Sequence, residues 1–317
     1  MREDFSFLRA IVDQPDDEAL RLIYADWLED RGDPRAEFLR LEVELHRLGK
    51  GDKKRKTTLQ EQMNDLQHQL DARWVARMWW ARNRPQGVRR ELVVLGEGKG
   101  LLEVRGQEET VLLVEGKPVA LNWDDCQGSV GQYLVFTGHT CGSEYVRQLR
   151  EFVAGGVDEG RPLSEQVAPL LALFAPGTYC LLYAPSTVVE SIAVHEYSCQ
   201  SSANQELLGY YPFEECNLVC TQTRETLNEE RVAFYCEQIR ARKRPIVLTT
   251  AAEGAWCEFV IDGHHKLEAY TRQRVNPAIL SIVLWEAPAI SLEEGIRFLP
   301  PGHPGIKEYR RMKNGTR

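Results

Sequence analysis

Phe259-Val260-Ile261-Asp262-Gly263-His264-His265-Lys266-Leu267-Glu268-Ala269-Tyr270 is the stretch on which the reading of this chain turns. An apolar β-type run stops at an acid and a glycine, and three side chains able to donate to phosphate follow. Glycine lets the backbone come close to a ligand. A helix opening at His264 or His265 aims unpaired N–H groups, and the positive end of its dipole, at an oxyanion. The pattern predicts a strand-to-helix anion site, with Asp262 facing a metal ion, a sugar hydroxyl or a substrate proton.

The flanking residues predict a compact α/β unit. Asn217 to Thr221 reads as a strand, and Thr226-Leu227-Asn228-Glu229 has the spacing of a capping box at a helix start. Val232, Tyr235, Cys236 and Ile239 fall at i, i+3, i+4 and i+7, one buried stripe. Arg240 to Arg244 put positive charge where the dipole is negative, and Pro245 ends the helix. Ile246 to Thr250 and Trp256 to Ile261 are β-rich runs around a turn, and Ile279 to Trp285 supplies a further strand. The expected order is βαββαβ.

Thr223-Arg224-Glu225, Arg244-Pro245-Ile246-Val247-Leu248, Val260 to Ala269 and Ile279 to Val283 together resemble the ParB/sulfiredoxin fold over residues 214–288. That superfamily includes partition proteins that bind CTP, sulfiredoxins that use ATP, and free serine kinases that use ADP or ATP. All place nucleotide phosphates at this junction. Sulfiredoxins carry a reactive cysteine where this chain has His264. Partition proteins have a Gly-Glu-Arg-Arg-like motif and a following helix-turn-helix domain, for which about 30 residues leave no room. Asp-Gly-His-His-Lys is similar to the Asp-Gly-His-His-Arg motif of the free serine kinase branch. The resemblance implies ADP or ATP with Mg²⁺ as cofactor and a small hydroxyl compound such as free serine as substrate. It implies Asp262 beside the transferred phosphoryl group or its Mg²⁺, Gly263, His264, His265 and Lys266 on phosphate oxygens, and Glu225 as base. Lys266 departs from the motif by replacing a bidentate fork with a point charge.

Leu20, Ile23, Tyr24 and Trp27 form a helical stripe after Pro15-Asp16-Asp17-Glu18, whose acids suit a helix start. Gly32 ends that helix, Asp33-Pro34 opens another, and Gly49 closes it, predicting a helical hairpin over residues 1–50. The run Leu22 to Leu41, with its Tyr-Ala-Asp-Trp-Leu core, resembles the repeat-companion domain, an amino-terminal module of many bacterial paralogous proteins. The resemblance carries no catalytic role; docking of a protein partner through these helices is the most it implies.

Leu59, Met63, Leu66, Leu70, Trp74 and Met78 continue a seam that predicts one helix over residues 53–82, about 45 Å long, within a segment 51–89 that reads as a basic linker. Its end, Arg73 to Arg84, mixes arginine and tryptophan, a pattern that can grip phosphates and stack bases or simply present a solvated cationic face. The formal charge of −8 argues against a broad polyanion-binding surface. Residues 90–213 predict a β-rich domain, with runs at 91–95, 101–105, 110–114 and 119–123 divided by glycine turns, helices at 144–153 and 164–174, and β segments at 179–183 and 188–197. Gly96-Glu97-Gly98-Lys99-Gly100 lacks the Ser or Thr of a phosphate loop and reads as a turn. His195, Cys199, Cys216 and Cys220 invite a zinc reading, but Cys216 and Cys220 on one strand stand about 13 Å apart, too far to share an ion.

The expected fold class is thus multidomain α+β: a helical hairpin and long helix, a β-rich middle domain, a ParB/sulfiredoxin-like domain over 214–288 and a tail over 289–317. With 317 residues, 43% of them hydrophobic, the chain can bury real cores. No signal peptide or membrane-spanning run is visible, so a cytoplasmic location is expected. Two further readings stay open: a non-catalytic interaction protein, and association with nucleic acid through the Arg/Trp segment.

Overall fold

A run buried at every position, such as Ile246–Ala252, needs cover on both faces of its sheet. The computed structural model, which describes residues 4–48, 52–83, 87–106, 109–124, 131–136, 157–158, 160–186, 192–197, 205–210, 216–255, 257–299, 306–307 and 310–311, shows what supplies it. The chain divides into two compact units, Met1–Gln86 and Gly87–Arg317.

In the second unit, β1 (Arg89–Leu95), β6 (Gly177–Ala184), β7 (Ile192–Tyr197), β9 (Cys216–Thr223), β10 (Ile246–Ala252), β11 (Glu258–Asp262) and β12 (Ala278–Trp285) form a seven-stranded mixed sheet, ordered β1-β6-β12-β10-β11-β9-β7. A five-stranded antiparallel sheet holds β2 (Leu102–Gly106), β3 (Thr110–Val114), β4 (Lys117–Asp124), β5 (Gly131–Phe136) and β8 (Gln205–Tyr210), in the order 2-3-4-5-8.

One face of the large sheet is covered by helices over Glu229–Arg240 and His264–Gln273, where Val232, Cys236, Ile239, Leu267 and Tyr270 meet Leu218, Val247, Val260 and Ile279. The opposite face packs Leu248, Phe259, Leu280 and Ile282 against Val104 and Leu112 of the small sheet, Val167 and Leu171 of the helix Leu163–Leu171, and Phe174 just after that helix. Behind the small sheet, Val111, Leu113 and Leu121 meet Leu299 and Ile296. Each large aliphatic side chain so buried contributes about 1.5–3 kcal/mol.

The order βαββαβ over residues 216–285 matches the sequence reading. The cut expected at 213/214 is crossed by one sheet: β6 pairs antiparallel with β12, β1 pairs with β6, and β7 pairs parallel with β9. The run expected at 91–95 therefore leaves the meander for the large sheet, while the next three stay in the small one. The helix expected at 144–153 lies outside the described residues, as does Cys199.

The first unit holds α1 (Phe5–Asp13), α2 (Glu18–Glu29), α3 (Arg35–Arg47), α4 (Lys53–Gln67) and α5 (Ala72–Arg82). Asp17 caps α2 through the Ala19 N–H at 2.9 Å, and Gly32, at φ +65, ends the turn that follows it. The buried face of α2 is Arg21, Tyr24, Ala25 and Leu28, so Ile23, expected in the stripe, is instead 55% exposed. Three side chains from other parts of the unit converge on the Tyr24 hydroxyl. It donates to Asp4 at 2.9 Å and accepts from Arg35 at 3.2 Å and from the Trp74 indole at 3.3 Å.

The single helix expected over 53–82 is two. Asp71 accepts the Trp74 N–H at 2.9 Å and starts α5 afresh, a local capping bond that overrides the continuous apolar seam. Within α5, Arg77 is buried at 5% exposure while Trp79 is 65% exposed, so the Arg/Trp run does not present its cations on one open face. No helix among the described residues is long and apolar enough to cross a membrane.

Candidate functional site

Helices after the first unit continue the numbering: α6 (Leu163–Leu171), α7 (Glu229–Arg240), α8 (His264–Gln273) and α9 (Leu292–Phe298). Asp262 ends β11, and Gly263 turns the chain at φ +114, ψ 14 into α8. A Cβ here would sit 3.1 Å from the Val247 Cα, so glycine answers both a left-handed backbone and the close approach of β10. No side chain caps α8. Its first-turn N–H groups, which cannot bond within the helix, and the positive end of its dipole thus stay unanswered by a cap.

The end of β9 and its connection to α7 are tied to α8 at three points. The Thr221 N–H donates to His264 Nε2 at 3.0 Å, the Asn228 N–H donates to His265 Nε2 at 3.0 Å, and Arg224 lies 3.8 Å from the Glu268 carboxylate. Glu268 also accepts from Arg272 at 2.6 Å, and Arg272 binds Glu229 twice, at 2.8 and 2.9 Å. The expected capping box is shifted: Asn228 caps α7 through the Arg231 N–H at 3.0 Å, while the Thr226 hydroxyl donates to the Thr223 carbonyl at 2.7 Å in a 3₁₀ turn, Arg224–Thr226. Asparagine's side-chain oxygen outcompetes the threonine two residues before it because it directly precedes the first helical residue. Glu225 is exposed in that 3₁₀ turn, on the loop these ties hold over α8.

Because His264 Nε2 accepts a backbone proton, its own proton sits on Nδ1 and the ring is neutral. Burial pushes its pKa down to about 4, against the opposing charge of Asp262. The folded form therefore binds the neutral ring, whose ordinary pKa is 6.5, and the stability this contributes is complete above pH 6.5 and lost as pH falls towards 4. We expect acid unfolding monitored between pH 7 and 4 to show a loss on the order of 3 kcal/mol that His264→Asn shifts or removes; an unchanged pH profile in that variant would show that His264 does not titrate with unfolding.

Lys266 is 3% exposed, and its ammonium donates to the Ile246 carbonyl at 2.8 Å and to Asp262 Oδ2 at 2.7 Å, 5.8 Å from the Tyr235 ring centre. Burial lowers its pKa and Asp262 raises it. The sequence reading assigns the His264, His265 and Lys266 side chains to phosphate oxygens. In the structure His264 and Lys266 hold the site together from inside, and the donors an anion would meet are the backbone N–H groups of the first turn.

Arg231 escaped the sequence reading. It sits in the first turn of α7, half-buried, with no ion pair among the described residues, and its charge adds to the lowering of the Lys266 pKa. The signal was present: a cation in a helix's first turn opposes the dipole, so its place needs another reason.

Among the described residues no group of three or more His, Cys, Asp or Glu side chains could hold a metal ion. Asp262 offers one carboxylate, with Oδ2 engaged by Lys266. That fits Mg²⁺ arriving with phosphates and water, which is its usual mode, and not a resident ion caged by protein. No protein-family model matches the chain, and no curated protein or solved structure gives a significant match.

Proposed function

We propose that residues 216–285 bind the phosphates of a purine nucleotide, ADP or ATP with Mg²⁺, and transfer a phosphoryl group to a small hydroxyl compound such as free serine. The observation that carries this reading is the uncapped start of α8 after left-handed Gly263, with Asp262 on one side and, nearby, Arg231, which has no ion pair among the described residues. Backbone N–H groups would hold phosphate oxygens, Asp262 would take a Mg²⁺ site, and Arg231 would neutralise the remaining charge. In the transfer, the acceptor oxygen bonds to the terminal phosphorus, the bond to the nucleotide's bridging oxygen breaks, and the hydroxyl proton passes to Glu225.

A second reading, a binding module without chemistry, is favoured by one observation: the Asp262–Lys266 pair and His264 are engaged within the fold. Calorimetry tests whether a nucleotide binds at all, and a turnover assay then separates the two readings. ADP and ATP with Mg²⁺ should bind, and Arg231→Gln should weaken them about tenfold, about 1.4 kcal/mol, at unchanged melting temperature. Absence of heat with ADP, ATP and CTP would remove the nucleotide reading. If binding holds, serine phosphorylation should fall about 10²- to 10⁴-fold in Glu225→Gln. A variant as fast as the parent would exclude Glu225 as base, and no turnover in the parent would leave the binding module.

A further inference from the structure

In the first unit, a buried arginine and a partly buried one share one carboxylate. Arg21 of α2, with a side chain 0% exposed, donates through Nε to Glu42 Oε2 at 3.2 Å, and Arg82 of α5, 14% exposed, donates through Nε to Glu42 Oε1 at 3.1 Å. Arg21 Nη1 reaches the Pro15 carbonyl at 2.6 Å. The nearest further acid, Glu18, is engaged by His46 at 2.7 Å and Arg47 at 2.8 Å and stands 4.0 Å from Arg82. Nη2 of Arg21 and Nη2 of Arg82 are both buried and have no hydrogen-bond partner among the described residues.

This arrangement is costly as it stands. A guanidinium keeps its charge at every physiological pH, and a buried charged donor without an acceptor costs more than a neutral one. Glu42, gripped through Nε on both oxygens, serves both charges, and Glu18, the next acid at 4.0 Å from Arg82, is itself shared with Arg47 and His46, so positive charge stays in excess. A water could accept from either Nη2 but would leave the charge excess in place; a small anion answers both. Arg21, Glu42 and Arg82 belong to α2, α3 and α5, so a group seated on this cluster joins three of the unit's five helices.

We propose that the Arg21/Arg82 cluster is a binding site for a small monovalent anion of halide size, which locks α2, α3 and α5 together. Occupancy would follow the concentration of the anion itself and not ionic strength in general. The site is independent of the nucleotide reading, since it lies in the other unit.

The test is diffraction from crystals of the full chain grown in sodium bromide, recorded at the bromine absorption edge. The expected result is an anomalous peak at hydrogen-bonding distance from the Nη2 of Arg21 and of Arg82. An ordered water there, with no anomalous signal, or no density at all, would overturn the proposal. In Arg82→Gln, which keeps a donor for Glu42 but removes Nη2, the bromide peak should be lost. A peak of equal height in that variant would show that the cluster is not what holds the ion.

Discussion

Asp262→Ala should lower folding stability by about 3 kcal/mol at neutral pH, because it strips the counter-ion from a buried ammonium. Breaking a buried pair by removing one partner typically costs 3–5 kcal/mol, and the lower end applies because the Asp262 side chain is 24% exposed and partly screened. Lys266 stays buried at 3% exposure, with the Ile246 carbonyl as its remaining hydrogen-bond partner among the described residues. Its pKa already lies below the ordinary 10.5 through burial, and losing Asp262 removes what raised it. A lowered folded pKa makes the fold prefer the neutral amine, so the variant should gain stability as pH rises towards 10.5 and lose it as pH falls. Urea unfolding of parent and variant at pH 7 and pH 10 should therefore show a smaller gap at pH 10. Adding Lys266→Met should recover most of the loss, since an apolar replacement of a buried pair is often close to neutral. An equal gap at both pH values, with no recovery in the double variant, would show that an unpaired charge is not the cause. Asp262→Asn is accordingly the better substitution for binding measurements.

Gly263→Ala should be nearly as damaging, for a reason of backbone and not charge. At φ +114 a side chain carries a conformational cost of about 1–3 kcal/mol, and its Cβ would also press the Val247 Cα at 3.1 Å and Cγ1 at 3.3 Å. Together these should cost about 3 kcal/mol, lowering the melting temperature of the second unit by roughly 6–12 °C. Gly254 provides the control: it too is left-handed, at φ +81, but nothing lies within 4 Å of its missing Cβ. Gly254→Ala should lose only the conformational part, about 1–2 kcal/mol. Equal losses at the two glycines would mean that the approach of β10 to the α8 start is not tight.

The parts of this fold that the sequence made legible are those written in local patterns. Val232, Cys236 and Ile239 at helical spacing, Pro245 after a basic helix end, and the abrupt Asp262-Gly263 stop each act within a few residues. What was not legible depends on distant partners. Nothing in Tyr179–Tyr183 shows that β6 lies beside β12, because antiparallel pairing across about 100 residues leaves no local trace. The break between α4 and α5 was hidden by a seam that runs straight through it, with only Asp71 to mark a new start. At the site, position was readable and orientation was not. Histidine and lysine look alike to a sequence reader whether they face phosphate or the sheet, and only the structure shows His264 accepting from Thr221 and Lys266 bonded to Ile246. Arg231 could have been found earlier from its place against the α7 dipole.

The most direct test of the anion site is the backbone itself. In amide-resolved NMR of the full chain titrated with ADP and Mg²⁺, the N–H signals of His264, His265 and Lys266 should move together and saturably, with Asn228 following through its bond to His265. Inorganic phosphate alone should move the first three in the same direction, less far. Signals of these amides that stay fixed at saturating nucleotide would contradict the account.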